Sequence, residues 1–284
     1  MNIQIWSSDD KHELDPIKNL EIELLLEGIY RLSGYDFRQY MRSSIWRRIQ
    51  NRMQLEKVST ITQLLEKVIH EPGFIEVILN DFSINVTEMF RDAHFFYAFR
   101  KKVVPFLKTL PEIRIWHAGC STGEEVFSMA ILMEEEGLIE KTKIYATDMN
   151  EKILEKAKRG IFPLSKMQTY TKNYMQAGGT HAFSEYYTTD YKYAYFKSSL
   201  KDNIVFFQHN LVTDQSFNEF HVIICRNVLI YFNPELQNQV HALFYQSLCS
   251  NGFIGLGDKE SMRLSTSTAS YVEFDGVERI YRKI

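Results

Sequence analysis

Apolar segments that alternate with helical patterns from Ile113 onward constrain the fold of this chain more than any other feature. Helices are predicted between the first segments, at about 122–136 and 150–159. Strands that alternate with helices predict an α/β fold with a parallel sheet covered on both faces. The predicted strands are 113–118 (IRIWHA), 143–148 (KIYATD), 204–209 (IVFFQH), 220–225 (FHVIIC) and 253–257 (FIGLG).

The regions around this alternation have different patterns. Residues 1–80 are typical of helices; the first ends at Gly34 and has apolar residues at helical spacing, and the second has an apolar stripe. The tyrosine-rich stretch between Gly160 and Asn203 predicts a small antiparallel insertion, and Asp275-Gly276 predicts a hairpin turn. The helical positions are Leu20, Leu24, Ile29 and Leu32 in the first helix and Ile45, Ile49 and Met53 in the second.

Bulk properties exclude several classes of protein. The 33 basic and 36 acidic residues are balanced, so the chain as a whole is not built to coat nucleic acid or an anionic membrane. No stretch approaches the roughly 20 apolar residues of a membrane span, and the expected location is the cytoplasm. Cys120, Cys225 and Cys249 lie far apart and form no C-x-x-C pair, which predicts neither a disulfide framework nor a zinc site.

The turn after the first predicted strand indicates the kind of ligand. Small residues between Ala118 and Gly123 let a ligand approach the backbone, but the third glycine of a dinucleotide fingerprint is missing. Glu124 and Glu125 follow, and two carboxylates would repel a pyrophosphate. They suit a ligand that carries an ammonium or sulfonium group near a ribose, as S-adenosylmethionine does.

Three more polar residues are predicted at the same edge of the sheet. Asp148 ends the second strand, where an acid in this kind of sheet binds ribose hydroxyls. Asn210 follows the third strand and Asn227 follows the fourth. Ligands of open α/β sheets bind beyond the carboxyl ends of strands, so these loops predict one converging site.

Five motifs resemble, in order and spacing, those of the CheR-type chemotaxis receptor methyltransferases: NVTEMFRD (85–92), IWHAGCSTGEE (115–125), HNL (209–211), CRNVLIYF (225–232) and LGDKES (256–261). The resemblance covers the chain from about Tyr35 to its end, and the role of residues 1–34 stays open. It implies an enzyme that transfers a methyl group from S-adenosylmethionine to receptor glutamates, forming methyl esters and S-adenosylhomocysteine, with no metal.

The resemblance also implies an architecture. A small all-helical N-terminal domain, residues 1–80 with a receptor-recognition helix at about 36–57, would precede a Rossmann-like methyltransferase domain, residues 81–284, with a β-subdomain inserted at about 161–203. The expected partners are the cytoplasmic methylation helices of chemoreceptors. In some relatives the β-subdomain docks a receptor tail peptide by pairing with an edge strand, and the sequence leaves open whether this one does.

Carried over position by position, the resemblance implies three sets of residues. Arg91 and Tyr231 would be the catalytic pair, Arg91 steering a carboxylate and Tyr231 donating a hydrogen bond. The receptor-recognition helix would bind the acidic methylation region of the receptor through Arg47, Arg48 and Arg52. The cofactor contacts would be Asn85, Thr87, Arg91, Glu125, Asp148, Asn210, Leu211, Asn227 and Val228.

The chain departs from the family pattern at a few positions. His117 stands where the family usually has Ser, Met89 where Phe is usual, and GDKE (257–260) where GHSE is usual. None of these changes removes a polar residue assigned to the cofactor. A non-catalytic, S-adenosylmethionine-binding signalling module of the same fold remains an alternative, whereas the paired acids disfavour a nicotinamide-dependent oxidoreductase.

Overall fold

The chain folds into two compact units. A computed structural model describes residues 15–83, 86–262 and 268–284. One unit holds the described residues up to 83 together with the short segment Tyr231–Asn233, and the other holds the remaining described residues. No helix in these ranges has the length and apolar character needed to span a membrane.

The first unit is helical. Its first helix starts where the Asp15 carboxylate accepts from the Ile17 N–H and ends at Gly34, which adopts a left-handed φ of 77°. A capping box between Thr60 and Gln63 starts its third helix. The helices are α1 Pro16–Ser33, α2 Arg42–Glu56, α3 Ile61–His70 and α4 Phe74–Phe82.

The buried face of α1 differs from the predicted one. The helix and its end at Gly34 are as predicted, but Leu20, Leu24 and Leu32 are exposed. The core side of α1 contains Ile29, which was among the predicted positions, together with Ile22, Leu25 and Leu26, which were not. Nearly every second residue of this segment is apolar, so the spacing of apolar residues alone does not determine which face of the helix is buried.

A mixed sheet forms the centre of the second unit. In the part of the chain that is described, its strand order is β6-β2-β1-β7-β8-β10-β9; the first five run parallel, and the last two form an antiparallel edge. The strands are β1 Ile113–Ala118, β2 Thr142–Asp148, β3 Ile161–Pro163, β4 Tyr187–Thr189, β5 Tyr193–Phe196, β6 Ile204–Gln208, β7 Phe220–Cys225, β8 Leu248–Leu256, β9 Tyr271–Asp275 and β10 Ile280–Lys283.

Helices cover this sheet. A π-helical segment, Phe99–Val103, joins α5 to α6. Almost all side chains of α7 are buried, and they share a core with Ile115 of β1 and Ile144 of β2. The helices are α5 Ala93–Ala98, α6 Val104–Leu107, α7 Glu124–Glu135, α8 Glu151–Arg159, α9 Met167–Gln176 and α10 Pro234–Ser247.

The tyrosine-rich insertion contains both strands and a helix. Strands β3, β5 and β4 form a small antiparallel sheet in that order. Sequence reasoning missed α9, in which Tyr170 and Tyr174 lie one turn apart and are buried. The Rossmann-like sheet, the small antiparallel sheet and the helical first unit confirm the predicted fold class.

Candidate functional site

The carboxyl ends of four parallel strands meet at one edge of the large sheet. Ala118 at the end of β1 pairs with Thr147, and Asp148 at the end of β2 pairs with Gln208. On the other side of β1, His117 pairs with Ile224 near the end of β7. The loops that carry the predicted cofactor residues therefore start from adjacent strands.

The turn after β1 packs closely against the loop after β7 and joins the end of β2. Gly119 has a φ of 80°, and a Cβ there would lie 2.6 Å from Cγ2 of Val228. Glycine at this position thus brings the loop after β7 close to the turn. The Ser121 N–H donates to Oδ2 of Asp148 over 2.9 Å, which joins the turn to the end of β2.

Asp148 is held in place by backbone groups. Its Oδ1 accepts from the Asn150 N–H over 3.0 Å, while Oδ2 accepts from Ser121. Burial raises the pKa of Asp148 above its usual value, although backbone N–H groups act in the opposite direction. A carboxylate oxygen accepts more than one hydrogen bond, so both oxygens can still bind hydroxyl groups.

The two consecutive acids at the start of α7 have different surroundings. Glu124 is buried, accepting from the Tyr170 hydroxyl over 3.2 Å and from the Thr122 hydroxyl, and burial raises its pKa. This corrects the interpretation of both acids as ligand-facing, because Glu124 binds the insertion helix α9. Helix geometry accounts for the difference, since consecutive residues lie about 100° apart around the axis.

Glu125 belongs to a network of charged groups. Its Oε1 lies 3.0 Å from Nδ1 of His117, and its Oε2 accepts from Nη1 of Arg226 over 3.0 Å. Burial alone would raise the pKa of Glu125, but the His117 hydrogen bond and the Arg226 charge outweigh it and hold the pKa below its usual value. Glu125 is therefore a preorganised carboxylate at this edge.

Arg91 lies in the turn before α5. Its Nη1 donates to the Val86 carbonyl over 3.1 Å, and within the described part of the chain it forms no ion pair. The neighbouring carboxylate of Asp92 accepts instead from Nη2 of Arg226 over 2.7 Å. Within the described residues, Arg91 therefore forms no ion pair with the adjacent Asp92.

The loop after β7 is fixed by a buried glutamate. Asn227 has a left-handed φ of 62°, which non-glycine residues adopt less readily. Glu260 holds this loop by accepting from three of its backbone N–H groups, Asn227 (3.0 Å), Val228 (2.9 Å) and Ile230 (3.3 Å), and it also accepts from the Gly257 N–H after β8 (2.6 Å). Sequence reasoning quoted the GDKE motif but gave Glu260 no role.

For the remaining predicted cofactor residues, the structure shows burial and contacts within their own turns. The Asn210 side chain accepts from the Val212 N–H over 3.0 Å in the turn after β6, and Leu211 is half-buried. Thr87 is half-buried before the Arg91 turn. Asn85 lies outside the described residues. In the described ranges, no group of three or more His, Cys, Asp or Glu side chains is arranged to hold a metal ion.

The three arginines of α2 have different environments in the helical unit. Arg47 is exposed, whereas Arg52 forms two hydrogen bonds with Asp81 and one with Glu56. Arg48 is half-buried, and its Cζ lies 6.0 Å from the ring centroid of Tyr231. The predicted catalytic tyrosine thus lies beside the predicted receptor-binding helix.

Comparisons with known proteins give matches over most of the chain. A family model described as CheR methyltransferase, SAM binding domain, matches residues 85–276, and one described as CheR methyltransferase, all-alpha domain, matches residues 20–83. A Pseudomonas putida protein named Cher3 is 48% identical over 93% of this chain and 97% of its own length. A chemotaxis protein methyltransferase of Listeria monocytogenes is 29% identical over 81% of this chain and 85% of its own length.

Proposed function

Because the chain belongs to the CheR methyltransferase family, we propose that it methylates glutamate side chains of chemoreceptors and forms methyl esters. Relatives from Listeria and from Pseudomonas aeruginosa are named chemotaxis protein methyltransferase and chemotaxis protein methyltransferase 2. The observation that supports an acidic acceptor is Arg91, which has no acid partner in the described residues although Asp92 is adjacent. Its guanidinium is available for an external carboxylate.

The sheet edge has the groups that S-adenosylmethionine requires. Asp148 offers acceptors for ribose hydroxyls, and Glu125 offers a carboxylate to a cationic group. Gly119 lets Val228, another proposed contact, pack directly against the turn after β1. Asn210, Leu211, Asn227, Thr87 and Asn85 complete the proposed contact set. The cofactor supplies a sulfonium-bound methyl group, with a neutral thioether as the leaving group.

The chemistry requires orientation rather than proton transfer. A glutamate acceptor has a reference pKa of about 4.3, so it is already ionised at neutral pH and needs no general base. The protein must hold the carboxylate in line with the methyl group, and such positioning can account for a large share of catalysis. Arg91 would orient the carboxylate with its two-pronged donor, and Tyr231 would add one hydrogen bond.

The helical unit would bind the receptor through the arginines of α2. Arg47 is exposed and available to an acidic surface, whereas the charge of Arg52 is neutralised by Asp81 and Glu56. We therefore expect Arg47 to contribute more to receptor binding than Arg52, with Arg48 between them. A non-catalytic signalling module of the same fold is the second candidate, and it would bind the cofactor without turnover.

A methylation assay tests this function. Purified protein is incubated with methyl-labelled S-adenosylmethionine and receptor cytoplasmic fragments, and base-labile methanol is measured. We expect release that depends on Arg91 and that falls with rising salt, since exposed charge pairs are screened. Arg47→Glu should raise the KM for the receptor, whereas Arg31→Glu, an exposed arginine on α1, serves as the control. Cofactor binding without methanol release from any receptor would favour the signalling module.

A further inference from the structure

Arg226 contacts both sides of the proposed methyl-transfer site. Its Nη1 donates to Oε2 of Glu125 over 3.0 Å and to the Arg91 carbonyl over 3.1 Å, and its Nη2 donates to Asp92 over 2.7 Å. One guanidinium therefore joins the acid assigned to the cofactor and the turn that carries the arginine assigned to the acceptor. No role was assigned to Arg226 from the sequence.

The turn that Arg226 holds has an unfavourable backbone conformation. Phe90 has a φ of 50° and Asp92 a φ of 53°, so left-handed residues flank Arg91 on both sides. Such a conformation is unfavourable for residues other than glycine and persists only where surrounding contacts impose it. Without those contacts, the direction of the Arg91 side chain would change.

Three side chains impose this conformation. Ser128 of α7 accepts from the Phe90 N–H over 2.8 Å, and Asn173 of α9 donates to the Met89 carbonyl over 3.0 Å. These two contacts fix the start of the turn. Arg226 fixes its end, at the Arg91 carbonyl and the Asp92 carboxylate.

The surroundings of Arg226 favour arginine over lysine. The side chain is 1% exposed, and its Cζ lies 4.3 Å from the ring centroid of Phe95, so the guanidinium stacks on an aromatic ring. Its planar, divergent donors reach three acceptors on two elements. A lysine ammonium at the same place would keep the charge but could not reproduce this geometry.

We propose that Arg226 is a positioning residue that couples the cofactor side of the site to the acceptor side, because it binds Glu125 and the Arg91 turn at once. This inference rests on the proposed function, both for Arg91 on the acceptor side and for Glu125 as a cofactor contact. A ligand that orders Glu125 also orders Arg226 and, through it, the Arg91 turn. Binding of cofactor and orientation of Arg91 are thereby linked.

Double-mutant cycles test the coupling. Arg226→Lys is expected to weaken S-adenosylhomocysteine binding about tenfold by calorimetry and to lower kcat by a similar factor. In a Glu125→Gln background it should weaken binding less than about twofold further, because the negative charge that pairs with Arg226 is already gone. In an Arg91→Ala background its effect on kcat should likewise shrink to less than about threefold.

Arg100→Lys is the matched control. Arg100 is another buried arginine with two carboxylate partners, Glu135 and Glu136, but neither is assigned to the site. It should lower thermal stability without any non-additive effect with Glu125→Gln. Thermal melting is measured first for every variant, to establish that the variant is folded before its binding is interpreted.

The outcomes separate this inference from the proposed function. Additive effects of Arg226→Lys in both backgrounds would show a merely structural residue and overturn the coupling. If no receptor fragment is methylated by the wild-type protein, the proposed function fails, yet the binding cycle with Glu125 still decides whether Arg226 acts through that acid. Non-additivity in binding that is absent with Arg100→Lys supports the inference.

Discussion

The second unit contains two buried arginine clusters with nearly the same chemistry. Arg226 binds Glu125 and Asp92, and Arg100 binds Glu135 over 2.6 Å and Glu136 over 3.0 Å. Their side chains are 1% and 5% exposed. Both clusters thus contain a desolvated guanidinium between two carboxylates.

The elements that each cluster joins are different. Glu135 also accepts from the Tyr174 hydroxyl and from the Thr180 N–H and hydroxyl, so the Arg100 cluster ties α7 and the π-helical segment to the inserted subdomain. Arg226 instead binds a turn flanked by left-handed residues and the acid at the start of α7. We infer that the Arg100 cluster stabilises the fold, whereas the Arg226 cluster positions the site.

The largest effect is expected when the Arg100 cluster is broken. Glu135→Gln removes a fully buried charge that faces Arg100, which should lower the free energy of unfolding by about 3 kcal/mol. Affinity for S-adenosylhomocysteine should not change. Urea unfolding and calorimetry measure the two quantities.

Glu136→Gln is the control for this variant. Its carboxylate is more exposed and is shared with Lys108, so its loss should cost less stability. A large loss of cofactor affinity in Glu135→Gln would contradict the division between a stabilising and a positioning cluster.

The contribution of the Arg100 cluster to the stability of the wild-type protein should depend on pH. Burial raises the pKa of Glu135, but hydrogen bonds from Tyr174, Thr180 and Arg100 outweigh it and lower the pKa to about 2. A pKa below the unfolded value stabilises the fold at pH values above about 4.5, and this contribution is lost as the pH falls toward 2. It amounts to up to about 3 kcal/mol.

Unfolding measurements at pH 5, 4 and 3 test whether the Glu135 charge stabilises the fold. The difference in unfolding free energy between the wild type and Glu135→Gln should shrink as the pH falls below about 4.5, because the Glu135 carboxylate of the unfolded chain then binds a proton while the folded one stays ionised down to about pH 2. A difference that stays constant over this range would show that the charge of Glu135 does not stabilise the fold.

The sequence predicted the sheet more fully than the insertion. Strands β1 and β7 consist mostly of buried apolar residues, and they have the predicted bounds because a strand buried on both faces has a recognisable composition. Helix α9 was missed because Tyr170 and Tyr174 have high strand propensity. Their burial against the rest of the second unit outweighs this preference.

The charged contacts around the site could not be read from spacing. Glu124 and Glu125 are identical in type and adjacent, and only the packing of α7 on Tyr170 separates their roles. Arg226 stands in the quoted CRNVLIYF motif, but its partners lie more than 100 residues away in sequence. Pairings at that distance depend on tertiary structure, so composition and periodicity carry no signal for them.

A smaller effect is expected at the turn side of the Arg226 cluster. Asp92→Asn removes the charged acceptor of Nη2 while the Glu125 contact remains. We expect kcat/KM for receptor methylation to fall by an amount equivalent to about 1.5 kcal/mol, with little change in S-adenosylhomocysteine affinity. Steady-state kinetics and calorimetry separate the two.

Here too the other cluster supplies the control. Glu136→Gln removes an acid from Arg100 as Asp92→Asn removes one from Arg226, and it should leave kcat/KM unchanged. A loss of cofactor affinity in Asp92→Asn as large as the loss in kcat/KM would mean that the two arms of the Arg226 cluster do not act separately.

The smallest effect is expected at His117. Its imidazole is fully buried and contacts Oε1 of Glu125, so His117→Ser should weaken S-adenosylhomocysteine binding by about 1 kcal/mol through loss of one hydrogen bond to a charged group. His241→Gln, a buried histidine in α10, is the control and should leave binding unchanged.

The pH profile decides whether His117 also takes part in the chemistry. An ionised glutamate acceptor requires no proton transfer, so methylation should be nearly flat between about pH 6 and 8 in the wild type and in His117→Ser. A steep rise near pH 6.5 that His117→Ser abolishes would identify a general base. The acceptor would then not be a carboxylate, and His117 would belong to the reaction rather than to the support of Glu125.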